Sequence, residues 1–138
     1  MFRDYHRTVV GYHGTLRDTA LRIVQREQDI RPSRNGDDWL GHGVYFWEYA
    51  PKRAWDWAEK RYRSRRKPIA VLGAMIRLGS CLDLLDPENA VLLRDQHRRM
   101  LRELAADGQT PPKNFNSKKN LDCKTLEYFY AMMNAVDQ

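Results

Sequence analysis

The chain has 138 residues, a hydrophobic content of 42% and a formal net charge of +6. This length and apolar content predict a single globular domain spanning residues 1–138 and exclude a disordered chain. Because no apolar run approaches the roughly 20 residues of a membrane span and the first residues lack a signal-peptide core, we expect a cytoplasmic protein that does not cross a membrane.

The first predicted elements are a strand and a helix joined by a short motif. Residues 8–12 form a β-type run that ends at His13-Gly14. Thr15 then stands where a helix N-cap is expected, with Asp18 three residues later as in a capping box. Apolar residues at helical spacing follow, so the sequence predicts a first helix to about residue 27.

A second strand and a second helix are predicted after a polar loop at residues 31–38. Residues 44–47 are β-type and mostly apolar, so they are predicted to form the strand. Pro51 suits the first turn of a helix, because an N–H group at that position has no partner within the helix. Ala54 and Ala58 are four positions apart and are predicted to lie on one face of this helix.

The rest of the chain predicts one further long strand and two helices. Residues 69–78 are almost continuously apolar, which is typical of a central strand buried on both faces. Asp86-Pro87 is a strong start signal for a helix that runs to about residue 106. A long loop at residues 107–120 precedes a segment with helical periodicity. The order of these elements predicts an α+β domain with helices between strands of a mostly antiparallel sheet.

The two cysteines, Cys81 and Cys123, lie far apart in the sequence and lack the spacing of a metal site. We interpret them as reduced, buried thiols rather than as a disulfide or a zinc pair. No metal site is therefore predicted.

Most of the positive charge is concentrated in residues 51–67, which we call the basic segment. Its basic residues outnumber its acidic ones, Asp56 and Glu59, by as much as in the whole chain. Such a local excess favours a polyanionic partner, because phosphate contacts release counterions. A solvated helix end with no partner is the alternative. The eight basic residues are Lys52, Arg53, Lys60, Arg61, Arg63, Arg65, Arg66 and Lys67.

Two glycine-containing motifs precede and follow the first helix: Tyr12-His13-Gly14-Thr15, and Gly41-x-Gly43-x-Tyr45-Phe46. In this order they resemble the nicotinamide pocket of the ADP-ribosyltransferases, in the branch of the poly(ADP-ribose) polymerases and diphtheria toxin. The resemblance extends to an alanine nine residues after Tyr45 and to an apolar strand that ends at a Leu-Gly turn. It covers residues 12–84, about half of the chain.

The resemblance implies a fold, a reaction and a set of partners. The fold would be the split antiparallel sheet of the ADP-ribosyltransferases with flanking helices, without its last strands if the chain ends before them. The reaction would be transfer of a single ADP-ribose unit from NAD+ to a protein or nucleic-acid acceptor, as in compact bacterial or phage toxins. An antitoxin-type protein is a further implied partner.

The resemblance also assigns roles to individual residues. His13 would hold the ribose hydroxyls, the backbone of Gly14 would bind the carboxamide, and Tyr45 would cover the nicotinamide ring. The neighbouring Tyr12, Thr15 and Gly43 are assigned to the NAD+ site with them. A second aromatic residue is expected about eleven positions after Tyr45. That position is Asp56, between Trp55 and Trp57, and we assign the stacking role to Trp57.

The third signature residue of this branch is a Glu or Gln on a late strand. The nearest candidate is Glu127, in Leu126-Glu127-Tyr128-Phe129-Tyr130. The spacing of Leu126, Phe129 and Tyr130 indicates a helix instead of a strand. Glu127 as the catalytic acid and a chain that ends before the relevant strand are therefore two open interpretations.

Two other classes of function remain open. The chain could be a catalytically inactive relative that keeps an NAD+ pocket or only the fold as an interaction module, which the uncertain third residue favours. It could also be a basic nucleic-acid-binding protein that uses the basic segment with Trp55, Trp57 and Tyr62 interleaved. The second of these leaves the two glycine motifs unexplained.

Overall fold

A computed structural model describes residues 3–136 and confirms the α+β class. The described chain forms four α-helices and two small antiparallel sheets, and none of its helices is long and apolar enough to cross a membrane. The strands are β1 (Arg3–Asp4), β2 (Thr8–Leu16), β3 (Trp47–Glu48), β4 (Ile69–Arg77) and β5 (Ser80–Cys81); the helices are α1 (Arg17–Val24), α2 (Pro51–Tyr62), α3 (Pro87–Ala106) and α4 (Asn120–Val136).

The chain divides into two compact units, which we call the sheet unit and the helical unit. The sheet unit comprises Arg3–Arg31 and Val44–Cys81, and it contains all five strands with α1 and α2. The helical unit comprises Pro32–Gly43 and the chain from Leu82 onward, with α3 and α4. The prediction of a single domain over residues 1–138 stays a prediction.

The main sheet has the order β3-β2-β4, so β2 is its central strand. The β2–β4 pairing runs in antiparallel register from Thr8↔Arg77 to Leu16↔Ile69. The prediction that residues 69–78 form the central strand is therefore wrong. The β4 strand lies at an edge of the sheet, and its Met75 side chain is 82% exposed. The prediction failed because a continuous apolar run does not distinguish a central strand, paired on both edges, from an edge strand.

The β2 strand is longer than predicted, and Thr15 is not an N-cap. Thr15 is buried and pairs with Ala70, because the ladder with β4 continues for one more residue. Leu16 is the N-cap of α1 and makes no side-chain capping bond, while the Arg17 amide donates to the Pro68 carbonyl at 2.9 Å. Ladder pairing thus replaces the local capping interaction.

The α2 helix begins at Pro51 as predicted and packs on the sheet through its two alanines. Ala54 and Ala58 are fully buried. A Cβ atom built on Gly14 would lie 2.1 Å from the Ala54 carbonyl oxygen and 2.8 Å from the Ala58 Cβ. The helix backbone therefore approaches β2 so closely that only a glycine fits between them.

The helical unit is built on α3 and α4, whose contact buries apolar side chains from both helices. Phe129 and Met100 are its largest fully buried side chains, and Leu104 and Leu126 are also buried. Cys123 lies in this core, and burial is the main cause that raises the pKa of its thiol. Both Cys81 and Cys123 are free thiols.

The N-terminus of α3 is capped as the sequence predicted. Asp86 accepts a hydrogen bond from the Glu88 amide through Oδ1 at 2.9 Å. We expect Asp86→Ala to lower the free energy of unfolding by about 1 kcal/mol, because an amide of the first turn loses its acceptor. Urea denaturation monitored by circular dichroism measures the change. Asp86→Asn keeps an acceptor and should lose less than half as much, and equal losses in both variants would contradict the capping role.

Candidate functional site

His13 lies in the middle of β2, where it pairs with Leu72 of β4. Its Nδ1 atom is 2.8 Å from the carbonyl oxygen of Tyr45. The Phe46 ring lies at 5.7 Å from the imidazole, centroid to centroid, at a tilt of 52°. The structure thus brings His13 of the first motif together with Tyr45 and Phe46 of the second, all within the sheet unit.

The bond to Tyr45 fixes the chemistry of the His13 ring. A carbonyl oxygen only accepts hydrogen bonds, so Nδ1 must carry the proton. In the neutral imidazole, Nε2 then has a lone pair and can accept a hydrogen bond from a ligand. No hydrogen bond to Nε2 is formed by the residues that the structure describes. The neutral His13 ring is therefore an oriented acceptor.

The backbone of Gly14 points to the side of β2 on which β3 pairs. The Tyr49 amide donates to the Val10 carbonyl at 3.0 Å, and Tyr12 pairs with Trp47 of β3. Since backbone groups alternate in direction along a strand, the N–H and C=O of Gly14 point the same way as those of Val10 and Tyr12. The β3 strand begins only at Trp47, so its pairing with β2 ends before Gly14.

The other predicted residues of the first motif lie on opposite faces of β2. Thr15 is buried on the face that also carries His13. Tyr12 is half-buried on the other face, and its ring would be 3.4 Å from a Cβ built on Gly73 of β4. Tyr12 therefore packs against the neighbouring strand.

The predicted strand at residues 44–47 is shorter than expected, because regular pairing starts only at Trp47. Tyr45 precedes the strand and is half-buried. Phe46 packs over Gly11, where a built Cβ would lie 3.0 Å from the Phe46 Cβ. The segment before β3 is thus held to β2 by the Tyr45 carbonyl and the Phe46 side chain instead of by a ladder.

The Gly41-His42-Gly43 turn belongs to the helical unit. Gly41 has a φ of +83°, which favours glycine. Both backbone groups of Gly43 are bonded to Ser33, with N–O distances of 2.7 and 3.0 Å. Both groups therefore hold the turn, and the NAD+ contact of Gly43 stays a prediction.

Glu127 lies on α4, as its periodicity indicated, and its carboxylate has a local partner. The Oε1 atom accepts a hydrogen bond from the His42 amide at 2.6 Å. The same oxygen would be 2.7 Å from a Cβ built on Gly41. The carboxylate also contributes, after burial, to the raised pKa of Tyr130. Glu127 thus fixes the glycine turn within the helical unit.

Asp38 is a polar centre that the sequence pattern did not reveal. Its carboxylate accepts bonds from the Ser33 hydroxyl at 2.6 Å and the Asn35 amide at 2.8 Å, and His42 Nδ1 lies at 3.2 Å. An Asp side chain often accepts hydrogen bonds from residues of its own loop. The short spacing from Ser33 and Asn35 to Asp38 is the signal that could have identified this role. The partners of its carboxylate all lie within one loop, so we assign the carboxylate to loop structure.

Trp57, predicted as the second stacking residue, lies on the solvent side of α2 and is 42% exposed. Its ring makes an edge contact with Tyr62 at a centroid distance of 6.3 Å. Trp55 is similarly exposed. The basic segment that contains them forms α2 and a short 3₁₀ turn, Arg63–Arg65.

Across residues 3–136, no three potential metal-ligating side chains come together.

Comparison with known proteins gives little functional information. No protein-family model matches the chain, and no solved structure matches it significantly. An uncharacterized protein of Methanocaldococcus jannaschii is 38% identical over 69 residues, which cover 47% of this chain and 31% of that protein. The chain thus spans about a third of the length of the curated relative it matches. The description of that relative names no activity.

Proposed function

We propose that this chain is an NAD+-dependent mono-ADP-ribosyltransferase of the compact, toxin-like kind, with the split antiparallel sheet of that family. One observation carries the proposal: the 2.8 Å bond from His13 Nδ1 to the Tyr45 carbonyl. It joins the two motifs on which the resemblance rests and leaves Nε2 of His13 as an acceptor. Two antiparallel sheets with helices between their strands are compatible with the family's fold.

The proposed reaction breaks the bond between nicotinamide and ribose. Nicotinamide leaves with the bonding electrons, and a nucleophile of the acceptor bonds to the ribose carbon and loses its proton. The transition state resembles an oxocarbenium ion, so the protein contributes mainly by positioning and by stabilising charge. In this proposal, His13 Nε2 accepts a hydrogen bond from a ribose hydroxyl and Tyr45 stacks on the nicotinamide ring.

The backbone of Gly14 suits the carboxamide of nicotinamide. An amide group presents one acceptor and two donors, and the N–H and C=O of Gly14 point to the side on which strand pairing has ended. Ala54 and Ala58 fill the space beside the Gly14 α-carbon, which fixes this stretch of backbone. A rigid pair of backbone groups loses little entropy when it binds a ligand.

The test is binding of NAD+ and transfer of labelled ADP-ribose, with His13 as the probe. We expect His13→Asn to raise the Kd for NAD+ about fivefold, because it removes a hydrogen bond worth about 1 kcal/mol at Nε2. The asparagine amide can still donate to the Tyr45 carbonyl, so the free energy of unfolding should change little. Calorimetry and thermal melting measure the two effects separately.

The matched control is His6→Ala, because His6 is an exposed histidine of the same unit whose nearest charged partner is Asp4 at 3.6 Å. This variant should bind NAD+ like the wild type. If the wild-type chain binds no NAD+ and modifies no protein, RNA or DNA from a matching extract, the proposed function is wrong.

A catalytically inactive NAD+-binding module is the second candidate, and one observation favours it. The carboxylate of Glu127, the nearest candidate for the third signature residue, is already bonded to the His42 amide. In this case NAD+ binds with the same dependence on His13, but no ADP-ribose is transferred. The same calorimetry and transfer assays distinguish the two candidates.

A further inference from the structure

Most of the unpaired charge of the basic segment lies toward the C-terminal end of α2 and beyond it. Lys52, near the start of the helix, is bonded to Asp56 at 2.9 and 3.0 Å, and this bond raises the pKa of Lys52. For the six later cations, no carboxylate within the described residues lies within 4.0 Å. All six are exposed: Lys60, Arg61, Arg63, Arg65, Arg66 and Lys67.

An exposed indole, Trp57, and a half-buried phenol, Tyr62, lie among these cations. Trp57 is 42% exposed and contacts Tyr62 edge-on, and the guanidinium of Arg65 lies 5.5 Å from the Tyr62 ring centroid. Arg53, Trp57 and Lys60 are four and three positions apart, so they follow one stripe of the helix. Charge repulsion among six neighbouring cations is unfavourable for the isolated protein, and an anionic partner would relieve it.

We propose that this face binds single-stranded nucleic acid. The cations would contact successive phosphates, while Trp57 and Tyr62 would stack on bases. Stacking of this kind needs bases that are not paired, which favours a single strand over a duplex. An acidic protein would satisfy the cations but would not use the exposed indole. The inference does not rest on the proposed transferase activity, because binding requires neither NAD+ nor His13.

Fluorescence anisotropy with labelled single strands of RNA and of DNA tests the proposal. Strands of about 20 nucleotides exceed the roughly 4–16 nucleotides that one single-strand-binding fold covers. Without NAD+, we expect binding whose log Kobs falls with log salt concentration with a slope of about −3.5 for five phosphates. Binding of only RNA or only DNA would support the proposal and identify the sugar that the surface selects.

Two variants with the same change in net charge locate the surface. We expect Lys60→Glu/Arg63→Glu/Lys67→Glu to raise the Kd at least about 30-fold, since three phosphate contacts are replaced by repulsion. Lys113→Glu/Lys118→Glu/Lys124→Glu, at exposed lysines of the helical unit, should change it less than about threefold.

Trp57→Ala should raise the Kd about tenfold through lost stacking. Photo-cross-linking of the wild type to a 4-thiouridine strand should label peptides within residues 51–67.

Several outcomes would overturn the proposal. They are no binding to either single strand at low salt, equal weakening by the two triple variants, and cross-links only outside residues 51–67. Tighter binding to a duplex than to its single strands would exclude the stacking role. Equal affinity for polyglutamate would indicate an acidic protein partner instead. The cross-linking result decides the question if a variant fails to fold.

Discussion

Gly14→Ala is expected to destabilise the sheet unit by at least about 3 kcal/mol, because its new Cβ would overlap the backbone of α2. The added atom would lie 2.1 Å from the Ala54 carbonyl oxygen. A side chain can rotate away from such a contact, whereas a helix carbonyl moves only if the whole helix moves. A loss of this size is a large fraction of the 5–15 kcal/mol that stabilises a typical domain. Chemical denaturation measures it.

Two further variants make this prediction specific. Gly79→Ala, where nothing lies within 4 Å of the built Cβ, should change the free energy of unfolding by less than about 1 kcal/mol. Ala58→Gly should not rescue Gly14→Ala, because the closest contact is with the Ala54 backbone and not with the Ala58 side chain. If Gly14→Ala is as stable as the wild type, the packing of α2 on β2 described above is incorrect.

Glu127→Ala is expected to destabilise the helical unit by about 2 kcal/mol, because a charged acceptor is lost from the His42 amide. Glu127→Gln keeps an uncharged acceptor and should lose about half as much. The turn that Glu127 fixes contains Gly41 in a left-handed conformation, which glycine adopts without strain. Urea denaturation of both variants gives the two values.

The same two variants separate a structural role of Glu127 from a catalytic one. If the proposed transferase activity holds and the carboxylate is structural, Glu127→Gln should transfer ADP-ribose within about threefold of the wild-type rate. A catalytic carboxylate typically contributes a factor of about 10² or more. A loss of that size in Glu127→Gln, in a variant that is still folded at the assay temperature and binds NAD+ like the wild type, would therefore assign the third catalytic residue to Glu127.

Local signals in the sequence predicted the four helices and the starts of α2 and α3. Pro51 and Asp86-Pro87 mark the starts of α2 and α3, and the spacing of Leu126 and Phe129 identified α4 as a helix. These features act within a few residues of the chain. They are therefore visible in the sequence without knowledge of the partners.

Features that depend on distant partners were predicted poorly. Thr15 has the residue type of an N-cap, but its pairing with Ala70 more than fifty positions away extends β2 through it. The edge position of β4 depends on which strands pair with β2, and β1 is too short to give a periodic signal. In the candidate site, the bond between His13 and Tyr45 and the contact between Glu127 and His42 are likewise long-range.

The register of β2 with β4 has a consequence for how this chain folds during synthesis. The nine pairs of the ladder connect residues 8–16 with residues 69–77, so the central strand is made long before its longest partner. At a synthesis rate of roughly 5–20 residues per second, several seconds pass between the synthesis of β2 and that of β4. During this time β2 can form only contacts with nearby residues. Such a high contact order slows folding. We therefore expect the ladder that holds His13 and Gly14 to form only after β4 has been synthesised.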